Sequence, residues 1–180
     1  MRTPFSMYTF ARRFFLALLP LLLVLGACDN KTDDMKELEK QIEEHKVLDD
    51  ATIQKYLQDN NITNYERTST GLYIVRLNTV TSGPQPVQGS SISVKYIGRR
   101  ISDNFRFDAS VDNGTPCGCT TFVLGSVIAG WNEAFPKLYK GQRALLLIPS
   151  HLAYSYQGQG GAIPAWTPLM FDVELINVGQ

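Results

Sequence analysis

The feature that most limits how this chain can fold is a change of hydrophobic period near Gly71. Beyond it, Tyr73, Val75 and Leu77 alternate with Ile74, Arg76 and Asn78, and Ile92, Val94 and Tyr96 alternate with Ser93, Lys95 and Ile97. A period of two puts each set of side chains on its own face, so both segments read as strands. Ser82-Gly83-Pro84-Gln85-Pro86 forms the loop between them. Further short strands are expected at 105–108, 121–124, 142–149 and 169–178. Among them only Trp131 to Tyr139 has a helical pattern, and Pro136 keeps that helix short or kinked. Five or six strands with one short helix imply an α+β fold, an antiparallel sheet wrapped around that helix.

Ahead of Gly71 the pattern is helical. Met35, Leu38, Ile42 and His45 are spaced by 3, 4 and 3, with Glu39, Lys40, Glu43 and Glu44 on the other faces. This repeat suits either a dimer seam over 35–48 or a helix lying on the domain. A second helix is expected after Asp49 or Asp50, either of which can cap it. It would present Ile53, Tyr56 and Leu57 on one face and end at Asn60-Asn61. Residues 29–34 lack an apolar anchor and read as a solvated tether.

Charge divides along the same lines, although 17 Lys+Arg balance 17 Asp+Glu. Residues 1–27 hold three Arg and no acid, residues 28–66 hold 11 acids against 5 Lys, and residues 67–180 hold 9 bases against 6 acids. So mild a positive balance on the last segment argues against nucleic-acid binding. Arg12-Arg13 precede Phe14 to Leu25, an apolar run of 12 residues interrupted by Pro20. Spanning a bilayer takes roughly 20 apolar residues, so the run reads as the core of a secretory signal peptide.

The exit of that run, Leu25-Gly26-Ala27-Cys28, resembles the lipobox of bacterial lipoproteins. The resemblance implies that Cys28 carries lipid and becomes the first residue, tethering the protein to a membrane of the cell envelope. The alternative is an ordinary signal peptide that happens to place a cysteine there. The expected organisation is a signal peptide at 1–27, an acidic tether and short helical stalk at 28–66, and a folded domain at 67–180.

No nucleophile–base pair emerges from the sequence of that domain. No serine lies in a G-x-S-x-G elbow, and His151 reads as a surface loop residue, as His45 reads as a polar helix residue. Gly158-Gln159-Gly160-Gly161 lacks the context of a phosphate loop. What stands out is aromatic density beside glycine and proline, which suits the walls of an apolar pocket.

Val94-Lys95-Tyr96-Ile97-Gly98, Phe107-Asp108-Ala109-Ser110 and Phe122-Val123-Leu124-Gly125-Ser126-Val127-Ile128-Ala129-Gly130-Trp131 resemble the FKBP-type peptidyl-prolyl isomerases. Lys140-Gly141-Gln142-Arg143, Leu152-Ala153-Tyr154, Ile163-Pro164 and Leu169-Met170-Phe171-Asp172-Val173-Glu174-Leu175 continue the resemblance in family order. It implies a pocket floored by Trp131, walled by Tyr96, Phe107, Phe122, Val127, Ile128 and Phe171, with Ile163 on the loop above. Asp108, Tyr154 and the backbone N–H of Ile128 would be its polar points, with Tyr96 beside them. The implied reaction is rotation of X-Pro bonds in exported proteins, without metal, cofactor or covalent intermediate. Macrolide inhibitors of the class are implied ligands. A second reading keeps the pocket for gripping clients, as a chaperone or assembly factor with weak isomerase activity.

Two departures stand out. Ser155 replaces the glycine that often follows the loop tyrosine, and Ala162-Ile163 replaces the usual aliphatic pair before proline. Ser110 to Thr121 is longer than in the smallest members and contains Cys117-Gly118-Cys119, for which a bridge and free thiols both remain open.

Overall fold

The computed structural model describes residues 32–179; the segment expected to be a signal peptide and Cys28 lie outside the described residues. The described residues open with helix α1 (Asp33–Asp59), capped by Thr32, whose hydroxyl accepts from the Met35 amide at 3.3 Å. Asp33 and Asp34 place negative charge in its first turn, where the helix dipole favours it. Among the described residues seven strands follow: β1 (Glu66–Arg67), β2 (Tyr73–Arg76), β3 (Ser91–Arg100), β4 (Arg106–Ala109), β5 (Thr120–Val123), β6 (Arg143–Ile148) and β7 (Leu169–Gly179). Helix α2 (Ala129–Ala134) lies between β5 and β6 and runs into a 3₁₀ turn at Phe135–Lys137, where Pro136 removes an amide from the helical ladder.

All strand pairs are antiparallel, in the order β1-β2-β6-β7-β3-β4. β5 also pairs with β3. One end of β3 (Ser91–Val94) pairs with β5 and the other (Ile97–Arg99) with β4, so those two short strands share a single edge. The sheet thus has one strand more than the upper expectation, because the two-residue β1 carries no periodic signal.

One sheet face holds the main core. Ile92, Val94 and Tyr96 of β3 meet Leu146 and Ile148 of β6, Phe171 and Val173 of β7, and Trp131, Ala134 and Phe135 around α2. The other face carries Tyr73, Val75, Leu147 and Met170, and α1 covers these with Ile53 and Leu57. Full burial of such side chains is worth about 1.5–3 kcal/mol each, so the second half of α1 belongs to the domain. Strand β2 is consequently buried on both faces, with only Arg76 exposed.

The break expected at Asp49-Asp50 is absent, and α1 is one helix of 27 residues. Neither acid caps a helix, because both side chains are used across the fold. Buried Asp49 accepts from the Ser150 amide at 2.7 Å. Asp50 accepts from Arg67 and from the Tyr73 hydroxyl, each at 2.8 Å. With no Gly or Pro between residues 33 and 59, nothing else interrupts the helix. No helix of the described residues is long and apolar enough to cross a membrane.

Candidate functional site

Trp131 is placed by α2, whose third residue it is, and only 4% of it is exposed. Its indole meets the rings of Tyr96, Phe122 and Phe171 nearly edge-on, at centroid distances of 5.3, 5.2 and 5.2 Å. Edge-to-face packing sets the positive ring edge against a negative face, which fixes the orientation of each ring. These four rings, with Phe107, Val127 and Ile128, line a cavity of about 300 Å³. Indole Nε1 is buried and has no hydrogen-bond partner among the described residues.

Gly98 makes the aromatic wall possible. It pairs with Asp108 on one side and Phe171 on the other. A Cβ built there would sit 2.8 Å from both Phe107 Cζ and Phe171 Cε1, closer than carbon atoms approach. Only a residue without a side chain lets those two rings close over β3.

Asp108 and Tyr154 bring polar atoms to the same cavity. The Tyr96 hydroxyl donates to Asp108 Oδ2 at 2.7 Å, and the Ala109 amide donates to Oδ1 at 2.8 Å. Burial pushes the Tyr96 phenol well above its ordinary range, and the neighbouring carboxylate pushes it further, so it stays a donor. Burial likewise raises Tyr154, with Asp108 adding to the effect. Ile128 caps α2 in an extended conformation (φ −56°, ψ 150°), and its side chain lines the cavity.

Three positioning residues were not singled out from the sequence. Asn132 accepts from the Gly125 amide at 2.7 Å and donates to the Val127 carbonyl at 2.8 Å, clamping the turn that presents Val127 and Ile128. Ser126, on that turn, lines the cavity. Buried Ser110 fills the gap between β4 and β5: its Oγ accepts from the Tyr96 amide at 2.9 Å and its own amide donates to the Tyr96 carbonyl at 3.0 Å. None of the three is aromatic or titratable, and their importance depends on contacts between separate segments.

Ile163 lies elsewhere. It is 4% exposed within the main core and bridges Gln159, with the cavity lined by others. Its loop is fixed through Trp166, whose amide donates to the Ser155 carbonyl at 2.8 Å. Ser155 has φ 50°, the left-handed region that glycine favours, which accounts for the residue type the resemblance led one to expect there. His45 of α1 stacks on Trp166, with centroids 4.2 Å apart and planes within 3°. His151 is partly buried rather than a free surface residue, and its Nε2 lies 3.1 Å from the Thr70 carbonyl. Cys117 and Cys119 form a disulfide.

The model of the FKBP-type peptidyl-prolyl cis-trans isomerase family matches residues 83–176, just over half the chain and all of the cavity's lining. The chain belongs to this family. Among its relatives, the probable FKBP-type isomerase FkpA of Neisseria meningitidis serogroup B is 36% identical over 143 residues, 78% of this chain and 51% of the relative. The chain therefore spans about half the length of that protein. FK506-binding protein 1 of Debaryomyces hansenii is 45% identical over 93 residues, 52% of this chain and 81% of the relative.

Solved structures agree. A peptidyl-prolyl cis-trans isomerase from Pseudomonas syringae pv. tomato is similar with a TM-score of 0.60 and 32% identity, over 71% of this chain and 90% of the other. FkpA from Escherichia coli gives a TM-score of 0.63 and 29% identity, over 81% and 64%. The coverage of this second structure exceeds the span of the family model, and a helical segment precedes the sheet here.

Proposed function

We propose that this FKBP-family isomerase rotates X-Pro bonds of exported polypeptides, held at a membrane of the cell envelope by lipid on Cys28. The observation that carries the catalytic reading is the Tyr96–Asp108 pair at the edge of a largely apolar cavity rich in aromatic rings. The anchor rests on the Leu25-Gly26-Ala27-Cys28 sequence. An acidic segment at 28–66 would join it to the sheet, with the second half of α1 docked on the domain.

The chemistry requires little more than such a cavity. Amide resonance opposes rotation with a barrier of about 18–20 kcal/mol. In the twisted state the nitrogen lone pair is localised and the amide loses charge separation. Water favours the planar, polar ground state, and a proline ring seated over Trp131 among Phe107, Phe122 and Phe171 would lose that hydration. The Ile128 amide would donate to a substrate carbonyl, as would the Tyr154 hydroxyl, and Asp108 would hold Tyr96 in place. An acceleration of about 10⁴-fold needs about 5.5 kcal/mol, which desolvation and one or two hydrogen bonds can supply without a covalent step. The relatives named FK506-binding proteins support macrolides as ligands of the same cavity.

The experiment is a peptide isomerisation assay on the full chain with Cys28→Ser. Acceleration that a macrolide of the FK506 class abolishes is the expected result. A chain that binds the macrolide yet leaves the peptide at its uncatalysed rate would instead be a binding module.

A further inference from the structure

The loop 110–119 joins β4 to β5 and holds the Cys117–Cys119 disulfide, which rotation about X-Pro does not use. Only two positions separate the cysteines. A crosslink stabilises a fold mainly by restricting the unfolded chain, and the restriction grows with the loop that is closed. A bridge between such close neighbours restricts almost nothing, so stability gives little reason for it.

Its surroundings suit chemistry better. Cys117 is exposed and Cys119 half-buried. The Cys119 amide donates to the Cys117 sulfur at 3.2 Å, while the Thr115 hydroxyl, 3.6 Å from the same atom, gives its proton to Asn113 Oδ1 at 2.7 Å. A backbone N–H directed at one sulfur favours its thiolate, the form that attacks disulfides. The loop is also held in shape: Asn113 Nδ2 donates to the Cys119 carbonyl at 2.9 Å, and Asn113 Oδ1 accepts from the Thr115 amide at 2.9 Å. Ser110 Oγ donates to the Gly118 carbonyl at 2.8 Å while accepting from the Tyr96 amide, which ties the residue between the cysteines to the wall of the cavity.

The structure assigns this loop a second activity, thiol–disulfide exchange with cysteine-containing polypeptides. Cys117 is the exchanging sulfur and Cys119 the resolving one. In the reduced pair, the Cys117 thiolate attacks one sulfur of a client disulfide. A Cys117–client bond forms, the client bond breaks, and the departing sulfur leaves with the electron pair and takes a proton from water. Cys119, deprotonated, then attacks the Cys117 sulfur and expels the client as a dithiol. The client gains two electrons and the pair loses two. The reverse sequence oxidises a client dithiol and restores the reduced pair, so disulfide-bearing and dithiol-bearing clients together need no other oxidant. This activity goes beyond prolyl isomerisation and stands or falls independently of it.

The test uses the full chain with Cys28→Ser, a peptide closed by one disulfide, and glutathione as reference thiol. Reduced Cys119→Ser is expected to accumulate a Cys117–peptide adduct, seen by mass, about tenfold faster than glutathione forms its own at pH 7. Cys117→Ser is expected to be about tenfold slower than Cys119→Ser. Equal rates for the two variants, or a Cys119→Ser rate no faster than glutathione, overturns the assignment. Should either variant fail to fold by circular dichroism, the reduced parent decides. Alkylation by iodoacetamide should modify Cys117 about tenfold ahead of Cys119, and equal modification overturns the proposal.

Discussion

The Tyr96 hydroxyl donates to the Asp108 carboxylate at 2.7 Å across the β3–β4 edge, joining the most buried polar side chain of the cavity to its exposed acid. Tyr96 stays protonated because burial and the adjacent carboxylate both resist its ionisation, so the pair acts as a fixed dipole in an apolar wall.

Asp108→Ala and Tyr96→Phe should each lower kcat/KM for a proline peptide, by about tenfold for Asp108→Ala, which corresponds to about 1.4 kcal/mol. Because each change removes the same hydrogen bond, the double variant should be less impaired than the product of the two effects. A double-mutant cycle in the isomerisation assay measures this. Multiplicative effects would show that the residues act separately.

Gly98→Ala should fold with reduced stability, by about 1–3 kcal/mol, and bind proline ligands more weakly. Its Cβ would push against Phe107 and Phe171, both stiff rings already packed against each other with centroids 5.6 Å apart. Denaturant unfolding and ligand titration give the two readouts.

Ile53→Ala should cost about 2–4 kcal/mol, since the side chain is 0% exposed between α1 and the sheet. Leu48→Ala, at a residue 58% exposed, should change stability by less than about 0.5 kcal/mol. Urea unfolding of the two variants separates a docked helix from a free-standing stalk.

The pH dependence of stability should contain a His151 component. Burial lowers its pKa below the ordinary 6.5, Lys46 adds to this, and Thr70, Asp49 and Glu43 oppose it. The Thr70 carbonyl can only accept, so Nε2 carries the proton, and buried Nδ1 has no partner among the described residues for a second one. A depressed folded-state pKa means stability that is present above pH 6.5 and lost as pH falls through the folded value. Asp49, raised mainly by its burial, works in the opposite sense: its contribution is present below pH 3.8 and lost as pH rises through its folded value. Urea midpoints measured from about pH 7.5 down to about pH 5 should therefore fall more steeply for the parent than for His151→Gln. Parallel curves would rule out the assignment.

Much of this protein was legible along the chain. The shift from helical spacing to alternation at Gly71 located β2, the first of the longer strands, and six of the seven strands lie where alternating or apolar runs had placed them. The order of the aromatic blocks indicated the family before any contact was known, and nine of the ten residues expected to face substrate line one cavity. Periodicity and motif order are local properties that a sequence displays directly.

The rest depended on tertiary structure. Asp49 and Asp50 look like helix caps until Ser150, Arg67 and Tyr73 arrive as partners, after which the same acids fasten a continuous helix to the sheet. Ile163 looks like a pocket residue by its motif, yet its loop carries it into the core. Ser110 and Asn132 look ordinary until the gap beside Tyr96 and the turn at Gly125 give each two backbone partners. The sequence by itself determined the alternation, the family and the inventory of rings. Tertiary structure decided which polar groups meet, because a hydrogen bond depends on distances of about 3 Å between segments far apart in the chain.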